Sequence, residues 1–186
     1  MMKEKMRAAS IYLFDEKGYS ETSIQEIVDE IGVTKGTFYY YFNSKQELLK
    51  DINLTYIQFL LGKQEEILKE NINYTEKLYR LIYMVISTIK TQRQSARVFF
   101  REMRHLSDEH LNIIKRKRNE FRSHFQKMLE EGIEAGEFNS NLRPDILTFG
   151  ILGMTNWSYY WFNHEGEISE EELAKFYTDM LVNGIK

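Results

Sequence analysis

Helix-breaking residues are nearly absent from the first three-quarters of this sequence. The only proline is Pro144, and the 10 glycines among 186 residues occur singly. Proline and glycine interrupt helices, whereas apolar residues spaced three and four apart line one helical face. The sequence therefore predicts an all-α fold of about nine helices. The spacing is clearest at Leu78, Leu81, Ile82, Val85, Ile86 and Ile89.

Two short amphipathic helices are predicted near the amino end. The first covers Ser23–Ile31 and ends at Gly32, and the second follows Thr34, whose hydroxyl can cap it. Phe38 and Phe42 lie one turn apart in the second helix, so both can face inward. Two short helices joined by a glycine-containing turn are typical of a helix-turn-helix, whose second helix enters the major groove of DNA.

With a preceding helix over Lys3–Lys17, these elements predict a three-helix head, which we define as residues 1–47. A helical body, residues 48–186, would bind a ligand and carry the dimer contacts. The net charge of the whole chain is −3, but residues 33–50 hold three lysines and one glutamate, a net charge of +2. Because charge for DNA binding is judged on the docking side, this local excess favours a DNA-binding head.

Hydroxyls, lysines and one glycine mark the expected DNA-contacting surface. We expect Thr22 or Ser23 together with Lys45 to contact phosphates, and Gly36 to allow close approach of the DNA. Base edges would be read from the second helix. The candidates there are Lys35, Thr37 and Tyr40 for base edges, and Tyr39 and Tyr41 for the backbone or thymine methyl groups. The alternative for the three tyrosines is aromatic packing at the surface of the head.

The same stretch resembles the amino-terminal motif of the TetR/AcrR family of bacterial transcriptional repressors. This resemblance implies a ligand-responsive repressor that binds double-stranded, palindromic operator DNA as a dimer. It covers about the first quarter of the chain, a much longer run than a short motif. The matching residues are Ala9, Leu13, Phe14, Gly18, Thr22, Ile27, Gly32, Val33, Gly36, Thr37, Tyr39, Phe42, Lys45 and Leu48.

The last two helices are the expected homodimer surface. Residues 144–162 are apolar nearly all round, and Gly150 and Gly153 permit close approach of another helix. Two such helices from each subunit would form a four-helix bundle. The alternative is that these apolar side chains are core within one subunit.

The middle of the chain combines aromatic residues with a local excess of positive charge. From Lys90 to Arg122 there are ten Lys and Arg against four Asp and Glu. This positively charged segment is either a solvated face or an anion site beside an apolar tunnel. An anion site of that kind would suit an amphipathic effector. Candidate ligand-binding residues are Arg97, Phe100, Arg101, Arg104, Phe121, Phe125, Met128, Trp157 and Trp161.

Two short stretches, residues 100–102 and 153–161, resemble the acyl-CoA-responsive branch of that family, which represses fatty-acid degradation genes. The resemblance implies a long-chain fatty acyl-CoA as the small-molecule effector. The alternative is a lipophilic drug-like molecule, as in family members that control efflux pumps or stress genes.

Other function classes find little support in the sequence. There is no cysteine, and the histidines, His105, His110, His124 and His164, have no zinc spacing. We therefore expect no catalytic site, no metal and no cofactor, and hence no enzyme. Lacking a membrane-spanning apolar run, the protein is expected in the cytoplasm without a membrane partner. The remaining alternative is a helical adaptor without DNA binding.

Overall fold

The computed structural model describes residues 1–185. Over this range the chain forms eight α-helices and one short 3₁₀ helix, Met103–His105, and no β-strand. The predicted all-α fold is therefore confirmed. The α-helices are α1 (Met2–Lys17), α2 (Ile24–Glu30), α3 (Lys35–Tyr41), α4 (Lys45–Leu68), α5 (Tyr74–Glu102), α6 (Asp108–Glu134), α7 (Pro144–Trp161) and α8 (Glu170–Ile185).

Helix α5 accounts for the difference between the expected nine helices and the observed eight. The apolar pattern predicts a break between Thr91 and Gln94. In the structure the backbone leaves helical geometry only at Gln92, with φ −133° and ψ 20°, and the residues on both sides of it are helical. The two predicted segments therefore form one kinked helix.

The chain divides into two compact units. The first unit comprises Met1–Gln58 and Gln94–Arg116, and the second comprises Phe59–Arg93 and the chain from Lys117 onward. Helices α4, α5 and α6 each contribute residues to both units. The first unit thus contains the predicted head together with the end of α5, the 3₁₀ helix and the start of α6.

Local caps fix the ends of the short helices in the first unit. The Ser23 hydroxyl accepts the Glu26 N–H at 3.2 Å, and the Glu26 carboxylate accepts the Ser23 N–H at 2.7 Å. The Thr34 hydroxyl accepts the Thr37 N–H at 3.3 Å. Helix α1 ends at Gly18, whose φ of 90° favours glycine. These caps set the boundaries of α2 and α3.

The core of the first unit is built from the inward faces of α1 to α4. Helix α1 packs against α2, and α2 packs against α3. Burying these apolar side chains is what holds such short helices together, because isolated helices of this length are unstable in water. Fully buried side chains include Met6, Phe14, Ile27, Val28, Phe38, Leu48 and Leu49.

The second unit has its own helical core. The face predicted for residues 78–89 is buried throughout, and Phe125, Ile151 and Ala174 are fully buried as well. A hydrogen bond between the Thr88 and Tyr159 hydroxyls joins α5 to α7, and one of 3.0 Å between those of Ser158 and Tyr177 joins α7 to α8. None of the helices α1 to α8 is both long and apolar enough to cross a lipid bilayer.

Candidate DNA-binding surface and effector-binding residues

The aromatic residues of α3, together with Phe42 directly after it, divide into a buried side and an exposed side. Phe38 and Phe42 are buried, whereas Tyr39 is exposed and Tyr40 is 81% exposed. Tyr41 is half-buried, with its ring edge-on to Tyr40 at a centroid distance of 4.9 Å. Two of the three consecutive tyrosines therefore offer their hydroxyls to solvent, and the helix presents a wide outer surface for a partner.

The amino end of α3 supplies the polar part of this surface. Lys35 and Gly36 are exposed, and Thr37 is half-buried. The Thr37 hydroxyl lies 3.2 Å from the Thr34 hydroxyl, so the two can share a hydrogen bond. Lys35, Thr37 and Tyr40, which the sequence predicts to read base edges, thus all lie on one short helix.

Of the two residues predicted before α2 as phosphate contacts, only one exposes its side chain. Ser23 is exposed at the amino end of α2. Thr22 is buried, and its hydroxyl donates a 2.8 Å hydrogen bond to the carbonyl of Gly18. The Thr22 hydroxyl therefore stabilises the turn between α1 and α2 from inside.

Lys45 also points into this turn. Its ammonium donates hydrogen bonds to the carbonyls of Tyr19 at 2.7 Å and Thr22 at 2.6 Å. It also lies 4.3 Å from the centre of the Tyr19 ring. Burial lowers the pKa of the Lys45 ammonium, while Glu21 and Glu26 act in the opposite direction. In this structure the charge of Lys45 is therefore committed to the α1–α2 turn.

The arginines predicted to bind an effector lie in the first unit, where acidic groups already contact two of them. Arg97 forms a two-pronged ion pair with Asp15, and its Nε lies 2.7 Å from the carboxylate. This hydrogen bond raises the pKa of Arg97. Arg101 lies 3.8 Å from Asp15 and 3.6 Å from Glu102, while Arg104 is exposed.

The apolar residues predicted to bind an effector fall in both units. Phe100, in the first unit, is half-buried and meets Phe99 edge-on at 5.3 Å. In the second unit, Phe121, Phe125 and Met128 are buried, whereas Trp157 and Trp161 are exposed. The described contacts bring Phe121 and Phe125 together at a centroid distance of 5.4 Å.

A groove in the second unit contains one of these predicted residues, Met128. The groove has a volume of about 320 Å³ between α4 and α6. Beside it, the buried Gln64 amide donates to the Phe121 carbonyl at 2.9 Å and lies 2.9 Å from His124 Nδ1. The sequence did not single out Gln64, because a lone glutamine in an amphipathic helix has no signal in the apolar pattern. The groove lining is Glu65, Leu68, Lys69, His124, Lys127, Met128 and Glu131.

Helices α7 and α8 both expose large apolar side chains. Trp157 is 63% exposed and Phe176 is 77% exposed. A Cβ atom added at Gly150 or Gly153 would meet no atom within 4 Å, so both glycines leave open space on α7. We call this surface the α7–α8 face: Ile146, Phe149, Gly150, Gly153, Trp157, Tyr160 and Trp161 on α7, and Phe176 and Met180 on α8.

Comparison with known proteins places this geometry in a family. Residues 7–52 match the family described as bacterial regulatory proteins, tetR family, and residues 71–185 match the tetracyclin repressor-like C-terminal domain. The HTH-type transcriptional repressor KstR2 of Rhodococcus jostii is 26% identical over 175 residues, covering 93% of this chain and 85% of KstR2.

Two further similarities span almost the whole chain. The fatty acid metabolism regulator protein of Bacillus subtilis is 26% identical over 184 residues, covering 95% of this chain and 92% of the regulator. The crystal structure of AibR in complex with isovaleryl coenzyme A and operator DNA has a TM-score of 0.87 at 20% identity, covering 97% of each chain, which shows a shared fold. With the two family matches spanning both ends of the sequence, the chain belongs to the TetR family of bacterial regulatory proteins.

Proposed function

We propose that this chain is an effector-responsive transcriptional repressor that binds palindromic operator DNA as a homodimer. The observation that carries the proposal is α3, which buries Phe38, is followed directly by the buried Phe42, and exposes Lys35, Tyr39 and Tyr40. A capped helix with this outer surface matches the element that a helix-turn-helix inserts into the major groove.

Exposure divides the candidate DNA-contacting residues into two roles. Lys35, Thr37 and Tyr40 are proposed to read base edges, and Tyr39 and Tyr41 to contact the backbone or thymine methyl groups. Gly36 allows the close approach of a phosphate, and Ser23 contacts another from the start of α2. Thr22 and Lys45 are proposed to stabilise the α1–α2 turn without contacting DNA, because their polar groups donate hydrogen bonds to carbonyls of that turn.

Division of labour within the chain follows the proposed head and body. Residues 1–47 would bind DNA, and residues 48–186 would bind the effector and form the dimer. The matched family regions, residues 7–52 and 71–185, support a division of this kind. Within it, residues 94–116 pack with the head, so part of the body sequence belongs structurally to the DNA-binding side.

The α7–α8 face is the proposed homodimer surface. Exposed aromatic side chains of this size on two neighbouring helices are typical of an interaction surface. Four helices, two from each subunit, could bury the total of about 1,600 Å² that stable interfaces require. The dimer would hold two α3 helices about 34 to 36 Å apart, one turn of the DNA duplex.

The proposed effector is amphipathic, with an anionic head and an apolar chain. Arg97, Arg101 and Arg104, all in the first unit, are proposed to contact the anionic head. A long-chain acyl-coenzyme A has this chemistry. A relative named as a fatty acid metabolism regulator and the AibR complex with isovaleryl coenzyme A support this class. Effector binding would shift the dimer away from the DNA-binding spacing to the extent that it prefers the other state.

Fluorescence anisotropy with labelled DNA from upstream of the chain's own gene tests the function. The dimer should bind a palindromic segment with a Kd of roughly 10⁻⁸ M or below, against about 10⁻⁴ to 10⁻⁶ M for a scrambled duplex of the same length. Palmitoyl-coenzyme A should raise the Kd for the palindromic segment. Equal binding to both duplexes contradicts the repressor. A response to a neutral lipophilic molecule but not to palmitoyl-coenzyme A favours the drug-like alternative for the effector.

A further inference from the structure

Two carboxylates are buried in the first unit, one on α1 and one at the end of α5. The Asp15 side chain, near the end of α1, is 0% exposed, and the Glu102 side chain, at the end of α5, is 4% exposed. A buried carboxylate is stable only when it is paired. The groups that pair with these two therefore control how α1 and the end of α5 fit together.

Arginines from the end of α5 supply that pairing for Asp15. Arg97 uses both prongs of its guanidinium, and Arg101 lies 3.8 Å from the same carboxylate. Glu102 is 3.6 Å from Arg101 and 3.4 Å from His105. Arg97 and Arg101 are thus already paired with carboxylates of the protein itself.

Both arginines remain accessible from outside. The Arg97 side chain is 36% exposed and that of Arg101 is 42% exposed, while Asp15 beneath them is inaccessible. An anion arriving from solvent can therefore reach the exposed part of these two side chains. A phosphate or carboxylate makes the same two-pronged contact with arginine as Asp15 does.

The ion pair connects directly to the DNA-binding elements. Asp15 follows the fully buried Phe14 in α1, and α1 packs on α2, which packs on α3. A second attachment lies close by, because the His105 ring stacks on Tyr19 at a centroid distance of 5.0 Å and the His105 carbonyl accepts from Gln46 at 3.0 Å. A shift of α1 relative to the end of α5 would therefore reach α3 through packed side chains.

We propose that the Asp15–Arg97 ion pair holds α1 in its DNA-binding position, and that an anionic effector releases DNA by replacing Asp15 as the counter-ion of Arg97 and Arg101. Losing its partner leaves Asp15 buried and unpaired. That state is relieved only when α1 moves and the carboxylate gains water. The competition rests on the effector class proposed above, whereas the positioning role of the ion pair does not.

Operator binding without effector tests the positioning role. Arg97→Gln should weaken binding about tenfold or more, because the Asp15 charge loses its main partner. Asp15→Asn should weaken binding less. The double variant, Asp15→Asn with Arg97→Gln, should recover most of the affinity, because no unpaired buried charge remains. Anisotropy at 20 °C, with melting temperature and native mass recorded for each variant, separates this pattern from loss of fold.

Arg80→Gln is the matched control, because Arg80 pairs with Glu76 in the second unit, 2.7 Å away. It should bind operator like the wild type. If Arg97→Gln does not fold, Arg97→Lys keeps the charge without the two-pronged contact, and it should give a smaller loss of affinity. Wild-type operator binding by all Asp15 and Arg97 variants overturns the positioning role, as does a double variant as weak as Arg97→Gln alone.

Palmitoyl-coenzyme A is the probe for the competition. With Asp15 neutral, the arginines lose their internal anion, so Asp15→Asn should bind the probe roughly fivefold or more tightly, at the lower end of typical coupling. Arg97→Gln should bind it more weakly. If palmitoyl-coenzyme A acts on the wild-type protein and on Asp15→Asn to the same extent, the competition is overturned. The proposed function is then unaffected. Wild-type protein whose operator binding ignores the probe overturns the effector class and the competition together.

Discussion

The ammonium of Lys45 lies 2.7 Å from the carbonyl oxygen of Tyr19 and 2.6 Å from that of Thr22, so the start of α4 is tied to the turn before α2. A lysine held this way stabilises the shape of the DNA-binding unit. A lysine that contacts a phosphate instead releases counter-ions when the complex forms. The two roles leave different marks on the salt dependence of binding.

Lys45→Met is therefore expected to weaken operator binding without changing how steeply binding falls with salt. It should also lower the free energy of unfolding by about 2 kcal/mol, because two hydrogen bonds from a charged donor are lost. Lys35→Met is the matched control. Lys35 is exposed on α3, so Lys35→Met should leave the free energy of unfolding unchanged. If Lys35 also contacts a DNA phosphate, the slope of log affinity against log salt concentration should fall by about 1. A reduced slope for Lys45→Met, measured from anisotropy at several salt concentrations, would restore a phosphate contact for Lys45.

Tyr40→Phe tests the outer surface of α3. The Tyr40 ring is mostly in solvent, so removing its hydroxyl should leave the melting temperature unchanged. Operator binding should weaken by about 1 kcal/mol, the usual value of one hydrogen bond, or roughly fivefold in Kd.

Tyr12→Phe is the control for this change, because Tyr12 is also exposed but lies on α1. It should bind operator like the wild type. If Tyr40→Phe keeps the full affinity of the wild type, the Tyr40 hydroxyl makes no contact that matters, and the tyrosines of α3 would act through their rings alone.

Local features of the fold were predictable from the sequence because the groups involved are close in the chain. Thr34 forms the expected cap with Thr37, three residues away, and Ser23 and Glu26, also three residues apart, form another cap. Phe38 and Phe42 are both buried as expected, although α3 ends at Tyr41 and Phe42 has an extended backbone. The all-α fold and the helix-turn-helix could be predicted for the same reason.

The partners of charged groups were not predictable, because they are set by contacts distant in sequence. Lys45 meets a carbonyl 26 residues away, and Arg97 meets Asp15 across 82 residues. In the sequence, Arg97 belongs to a positively charged segment that is either a solvated face or an anion site, and nothing local shows that an aspartate of α1 reaches it. The one available signal was an acidic residue directly after Phe14, which belongs to the buried face of α1.

Gly132→Ala is expected to destabilise the second unit. An alanine Cβ at this buried position of α6 would lie 2.4 Å from the ring of Phe138 and 3.1 Å from the Cβ of Tyr74. Overpacking of this kind typically costs about 1 to 3 kcal/mol, more than the roughly 1 kcal/mol that alanine gains over glycine in a helix. Chemical denaturation should show a lower free energy of unfolding than for the wild type. A stability equal to or above that of the wild type would mean that the Phe138 ring moves away at little cost.

Gly150→Leu tests the proposed dimer at the centre of the α7–α8 face. Within one subunit a Cβ atom at Gly150 meets nothing within 4 Å, so leucine should not lower the stability of the fold. Between subunits the same side chain would keep a neighbouring helix from close approach, and the dimer should dissociate. Light scattering after size-exclusion chromatography should report the mass of a monomer. Operator affinity should fall, because a single head contacts only half of the palindrome.

Gly62→Leu is the matched control, since Gly62 is also exposed, mid-helix and free of neighbours within 4 Å, but lies on α4. It should remain dimeric and bind operator. A Gly150→Leu variant that keeps the dimer mass places the subunit contact elsewhere than on this part of α7.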